Sequence, residues 1–71
     1  MVFKKEKMIA RIKAEGREEA LEHPDVKRIL EDLDGCEVEK NCWRRVVHGE
    51  PVYWVVGRNG TQEYVNEADC E

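Results

Sequence analysis

The apolar residues of this chain change their period once, at Gly35: before it they recur every three to four residues, and after it they alternate. In "HPDVKRILEDLDG", Val26, Ile29, Leu30 and Leu33 follow the i, i+3, i+4, i+7 spacing of one helical face, Pro24 suits a first helical turn and Asp25 the positive end of the dipole. Gly35 then supplies a left-handed stop. Upstream, "KKEKMIARIKAEGREEALEH" places Met8, Ile9 and Ile12 on one face, with Gly16 and Ala20 continuing it. Gly16 marks a helix end, a kink or a close helix contact, because in mid-helix it costs about 1 kcal/mol relative to Ala. The first 35 residues therefore read as two helices joined near His23.

Beyond Gly35, "CEVEK" reads as a short strand, and "CWRRVVH", "VYWVVGR" and "TQEYVN" as the strands of a meander. Asn59-Gly60 is a strong hairpin signal, since both central residues of a type I′ turn need positive φ. The pattern predicts an α+β fold: two N-terminal helices (helix-loop-helix) packed on one face of a three- or four-stranded antiparallel meander. Residues 36–40 supply the fourth strand if they pair.

Turn position fixes register, and register fixes which side chains share a face. A two-residue turn at Asn59-Gly60 sets Arg58 opposite Thr61, Val56 opposite Glu63, Val55 opposite Tyr64 and Trp54 opposite Val65. A turn at Gly49-Glu50 sets Val47 opposite Val52, Val46 opposite Tyr53, Arg45 opposite Trp54 and Trp43 opposite Val56. One face then holds Trp43, Val47, Val52, Trp54, Val56 and Val65, with Arg45 and Glu63 among them, and is expected to meet the helices. The other holds Val46, Tyr53, Val55 and Tyr64 beside Cys42, Arg44, His48, Gln62 and Asn66. It is the candidate working surface, since Tyr joins a large apolar area to a hydrogen-bonding tip.

Length and charge limit what such a surface can do. A chain of 71 residues reads as one domain, 1–71, near the size at which only roughly 60% of the unfolded surface is buried, so no interior ligand pocket is expected. Residues 1–17 carry six bases against two acids, and residues 18–39 nine acids against two bases, so a basic first helix beside an acidic second one neutralises itself. The net charge of -4 disfavours nonspecific nucleic-acid binding. No stretch approaches the ~20 apolar residues of a membrane span, and the N-terminus lacks an apolar run of signal-peptide length. A cytoplasmic location is the expectation if the chain is a whole protein.

Catalytic and metal chemistry find little support. Cys36, Cys42 and Cys70 form an odd set without CxxC spacing and read as reduced thiols. Cys42 and His48 in a regular strand lie about 20 Å apart, too far for a nucleophile pair or a shared zinc. Cys36, Cys70 and His23 lack the spacing of a structural zinc site, and His23 before Pro24 reads as a helix N-cap or surface residue and not as a ligand. The paired carboxylates Glu18-Glu19 and Glu31-Asp32 are expected on exposed helix faces, and no cofactor is expected. The sequence thus points to a noncatalytic protein-interaction module acting through Tyr53, Tyr64, Arg44, His48, Val46 and Val55, on a partner protein or on a second copy as a homodimer. The alternative is a single-stranded RNA-binding module in which bases stack on Tyr53 and Tyr64 while the basic first helix meets phosphates.

Overall fold

The computed structural model describes residues 1–39, 46–47 and 50–71, the backbone alone at 46, 47, 50 and 51. Two helices precede an antiparallel sheet, the α+β arrangement the periodicity predicts. Helix α1 spans Lys5–Ala14 and helix α2 Pro24–Leu33, with a 3₁₀ turn at Glu18–Glu22 between them. Strands β1 (Val38–Glu39), β2 (Val46–Val47), β3 (Glu50–Val56) and β4 (Gln62–Asn66) follow, and a second 3₁₀ turn at Glu67–Asp69 leads to the last two residues.

Gly16 resolves as a helix stop. Its φ is 73°, its N–H donates to the Lys13 carbonyl, and the Arg17 N–H donates to the Ile12 carbonyl, the paired bonds of a Schellman cap. Gly35, at φ 82°, ends α2 in the same left-handed region, but its N–H donates to the Phe3 carbonyl. His23 caps α2 as expected, its Nδ1 accepting the Asp25 N–H at 3.1 Å.

Strand β3 is the axis of the sheet. Trp54 and Val55 pair with Glu39 and Val38 of β1 and also with Tyr64 and Glu63 of β4, so at its centre the sheet is three strands wide. Residues 38–39 thus do pair, with β3. Val46 and Val47 of β2 pair with Pro51 and Glu50, two residues from the expected register, because Glu50 belongs to the strand and not to a turn.

The N-terminus joins the two ends of the chain. Phe3 donates to the Cys36 carbonyl and bridges to Cys70, while Val2 and Glu71 exchange N–H···O bonds of 2.7 and 2.8 Å. Residues 1–4 are therefore flanked on one side by the segment leaving α2 and on the other by the C-terminus. Cys36 and Cys70 lie two strand spacings apart, about 9–10 Å, beyond the Cα reach of a disulfide.

The core forms where these elements meet. Phe3, Leu33 and Val55 are fully buried, Val38, Val65 and Cys70 nearly so, and Met8, Ile29 and Tyr53 pack against them. Below it, α1 is tied to the C-terminal 3₁₀ turn by a two-pronged ion pair, Arg11 Nε to Asp69 Oδ1 and Arg11 Nη2 to Asp69 Oδ2, both 2.8 Å. Asp69 is 1% exposed and Arg11 is partly buried, so the charges neutralise each other away from bulk water. The Asp69 hydrogen bond holds the Arg11 guanidinium above its ordinary value, against the opposing effect of burial.

Candidate functional site

The β3–β4 hairpin decides which aromatic residues face outward. Gly57 donates to the Thr61 carbonyl at 2.7 Å and Gly60 donates to the Gly57 carbonyl at 3.1 Å, with Gly60 at φ 87°. That is a three-residue loop, a turn over 57–60 that ends on the left-handed Gly60, and not a two-residue turn at Asn59-Gly60. The pairs become Val56–Gln62, Val55–Glu63, Trp54–Tyr64, Tyr53–Val65 and Val52–Asn66, one residue from the expected register. A slip of one residue exchanges the faces of a strand relative to its neighbour.

A tertiary contact selects the longer loop. The Asp32 carboxylate, at the end of α2, accepts the Asn59 N–H at 2.6 Å and the Thr61 N–H at 3.0 Å, and the Arg58 N–H reaches the Asp32 carbonyl. Thr61 is the residue whose N–H a three-residue loop turns away from its partner strand. Gly57 is buried against this carboxylate, and a Cβ there would overlap the Asp32 carboxylate and come within 2.8 Å of Leu33 Cδ2. Asp32, expected on an exposed helix face, is 3% exposed.

Hydrogen bonding from Thr61, followed by that from Asn59, holds the Asp32 carboxyl below the usual carboxylate range, against the opposing effect of burial. A depressed folded-state value means stability that is present above the unfolded value and lost as pH falls through the folded one. Asp32→Asn should therefore lower the urea midpoint at pH 7, and the gap to wild type should narrow below about pH 4. A gap unchanged at pH 2 would show that the carboxylate charge contributes nothing to the latch.

The sheet faces are consequently reassigned. Val55, expected on the working surface, is fully buried and packs with Phe3 and Leu33. Tyr53 lies on that same inner side, packed against the core, its hydroxyl donating to Glu67 Oε1 at 3.2 Å; desolvation, followed by that bond, raises its phenol above the ordinary value. Tyr64 is outward as expected, 37% exposed, but its partner there is Trp54, which the two-residue turn had placed inside. The two rings meet edge to face with centroids 5.0 Å apart and planes at 61°. Val56, also expected inside, is 51% exposed beside them, whereas Val52 at the other end of β3 is buried.

The six residues named from the sequence are thus not one surface. Tyr53 and Val55 are inward, Tyr64 is outward, Val46 is placed only by its backbone pairing with Pro51, and Arg44 and His48 lie outside the described residues. Trp43, Arg45 and Cys42 also lie outside them. The expected stacking of two bases on Tyr53 and Tyr64 loses its geometry, because those rings stand on opposite sides of the sheet. Val56 and the half-buried Trp54 are the residues of the outer face that the sequence reading missed. The signal that could have found them is the Gly57-Arg58-Asn59-Gly60 spacing, which fits a three-residue loop as well as Asn-Gly fits a two-residue one.

A cleft of about 610 Å³ lies between the helices and β4. Met8, Ile29, Val52 and Val65 give it apolar walls, and Arg11, Glu15, Arg17 and Asp69 line it as one linked ion-pair network. Those charges neutralise one another, and Glu63 of β4 lines the cleft outside that network. Among the described residues no three His, Cys, Asp or Glu side chains are grouped to hold a metal ion, and no helix is long and apolar enough to cross a membrane. Comparison of the chain with protein-family models, with curated proteins and with solved structures finds no match in any of the three.

Proposed function

We propose that this chain is a noncatalytic protein-interaction module whose contact surface is the sheet face bearing Trp54, Tyr64 and Val56. The observation that carries the reading is the aromatic pair itself: two large rings side by side, next to a half-exposed valine, on the sheet face opposite the core residues Tyr53 and Val55. Aromatic residues are enriched among binding anchors because they remove much apolar area from water while few rotamers are lost.

A photo-crosslinking amino acid at Val56 tests this in an extract of the source cells, with the same group at the exposed Glu31 of α2 as control. The expected result is a discrete adduct from position 56 alone, competed by excess unlabelled chain but not by Tyr64→Ala chain. An adduct that is the chain itself makes the module a homodimer. Equal labelling from both positions, or none from position 56, would overturn the proposal.

A further inference from the structure

The register places a carboxylate beside the aromatic pair. Glu39 of β1 is the Cα partner of Trp54, and Trp54 is the partner of Tyr64, so the three form one row across the sheet. Directly opposed residues project to the same face, with Cβ atoms about 5 Å apart. Glu39 is exposed, and among the described residues its carboxylate has no ion-pair partner. Among the acids in and just ahead of α2, Asp25 pairs with Arg28 and Glu22 with Lys27, while the exposed Glu31 has no ion pair among the described residues.

An indole next to an unneutralised carboxylate is a receptor for a flat cation. A guanidinium can lie over an aromatic face and at the same time donate charge-assisted hydrogen bonds to a carboxylate at its edge. An ammonium is compact and strongly hydrated, and cannot present a planar surface to the ring. We propose that the partner of this face is a basic peptide segment that presents an arginine, its guanidinium over Trp54 and hydrogen-bonded to Glu39. The chain's net charge of -4 adds attraction for such a segment during approach. This inference rests on the reading of the Trp54–Tyr64–Val56 face as an interaction surface, and names the chemistry of its partner.

The test is a titration of isotope-labelled chain with a blocked Gly-Arg-Gly peptide, followed by NMR at low salt, with the Gly-Lys-Gly peptide as comparison. The Trp54 indole N–H and the Glu39 amide should move together. The affinity should fall roughly three- to tenfold for Glu39→Gln and for the lysine peptide. Shifts confined to α2, shifts of equal affinity in Glu39→Gln, or no shift at Trp54 would each overturn the arginine proposal. The failures are separable: if the position-56 adduct still forms, the surface stands with a different partner chemistry, and if that adduct is lost the surface itself is withdrawn.

Discussion

Phe3→Ala should leave the chain substantially unfolded at 25 °C. Phe3 is fully exposed to nothing but protein, at 0% accessibility, and its backbone is the seam between the segment leaving α2 and the C-terminus. Truncating a buried phenylalanine costs roughly 3–5 kcal/mol through lost transfer energy and the cavity left behind. A chain of 71 residues holds only about 4–11 kcal/mol in total, at roughly 0.05–0.15 kcal/mol per residue. The loss is therefore comparable with the whole stability. Phe3→Leu, which keeps most of the volume, should remain folded with a lowered midpoint; circular dichroism with urea titration separates the two. A Phe3→Ala chain as stable as wild type would mean that residues 1–4 do not enter the core.

The second large effect concerns Arg11. Its guanidinium satisfies both oxygens of a carboxylate that is almost wholly buried, so Arg11→Met removes the partner and leaves the Asp69 charge in place. Breaking a buried pair from one side costs roughly 3–5 kcal/mol, whereas replacing both partners with apolar groups of similar volume is often near neutral. Arg11→Met alone should therefore destabilise more than Arg11→Met combined with Asp69→Leu, a non-additivity that urea midpoints of the two single variants and the double variant would read directly. Additive losses would show that the pair acts as two separate contacts. Asp69→Ala should cost less than Arg11→Met, because Arg11 is partly exposed and keeps Glu15 as a partner at 3.3 Å.

Helices, their stops and the antiparallel sheet were legible because each depends on local chemistry. Pro24, Asp25 and the Val26, Ile29, Leu30, Leu33 stripe define α2, His23 caps it, and Gly35 ends it in a conformation that only glycine adopts cheaply. The sheet faces were not legible, because they turn on one residue of loop length. Asn59-Gly60 favours a two-residue turn in isolation, but the Asp32 carboxylate, 27 residues earlier, takes up the Asn59 and Thr61 amides that the three-residue loop presents. Gly57, which looked like part of a strand, is needed because that carboxylate occupies the space of a side chain. Phe3 was missed for a similar reason: a single aromatic residue ahead of a basic helix has no periodicity, and its burial comes from two segments distant in sequence.

Everything said of the contact surface depends on that loop. The most direct measurement is the pattern of close Hα–Hα contacts across the β3–β4 hairpin by NMR. Counting from the bonded Gly57–Thr61 pair, Trp54 and Tyr64 form a non-hydrogen-bonded pair, with Cα atoms about 4.5 Å apart. A strong contact between the Trp54 and Tyr64 Hα protons is the predicted result, and it places Trp54, Tyr64 and Val56 together on the outer face. A contact of Val55 with Tyr64 in its place would mean a two-residue turn, put Tyr64 on the same face as Tyr53, and contradict the surface from which both proposals are built.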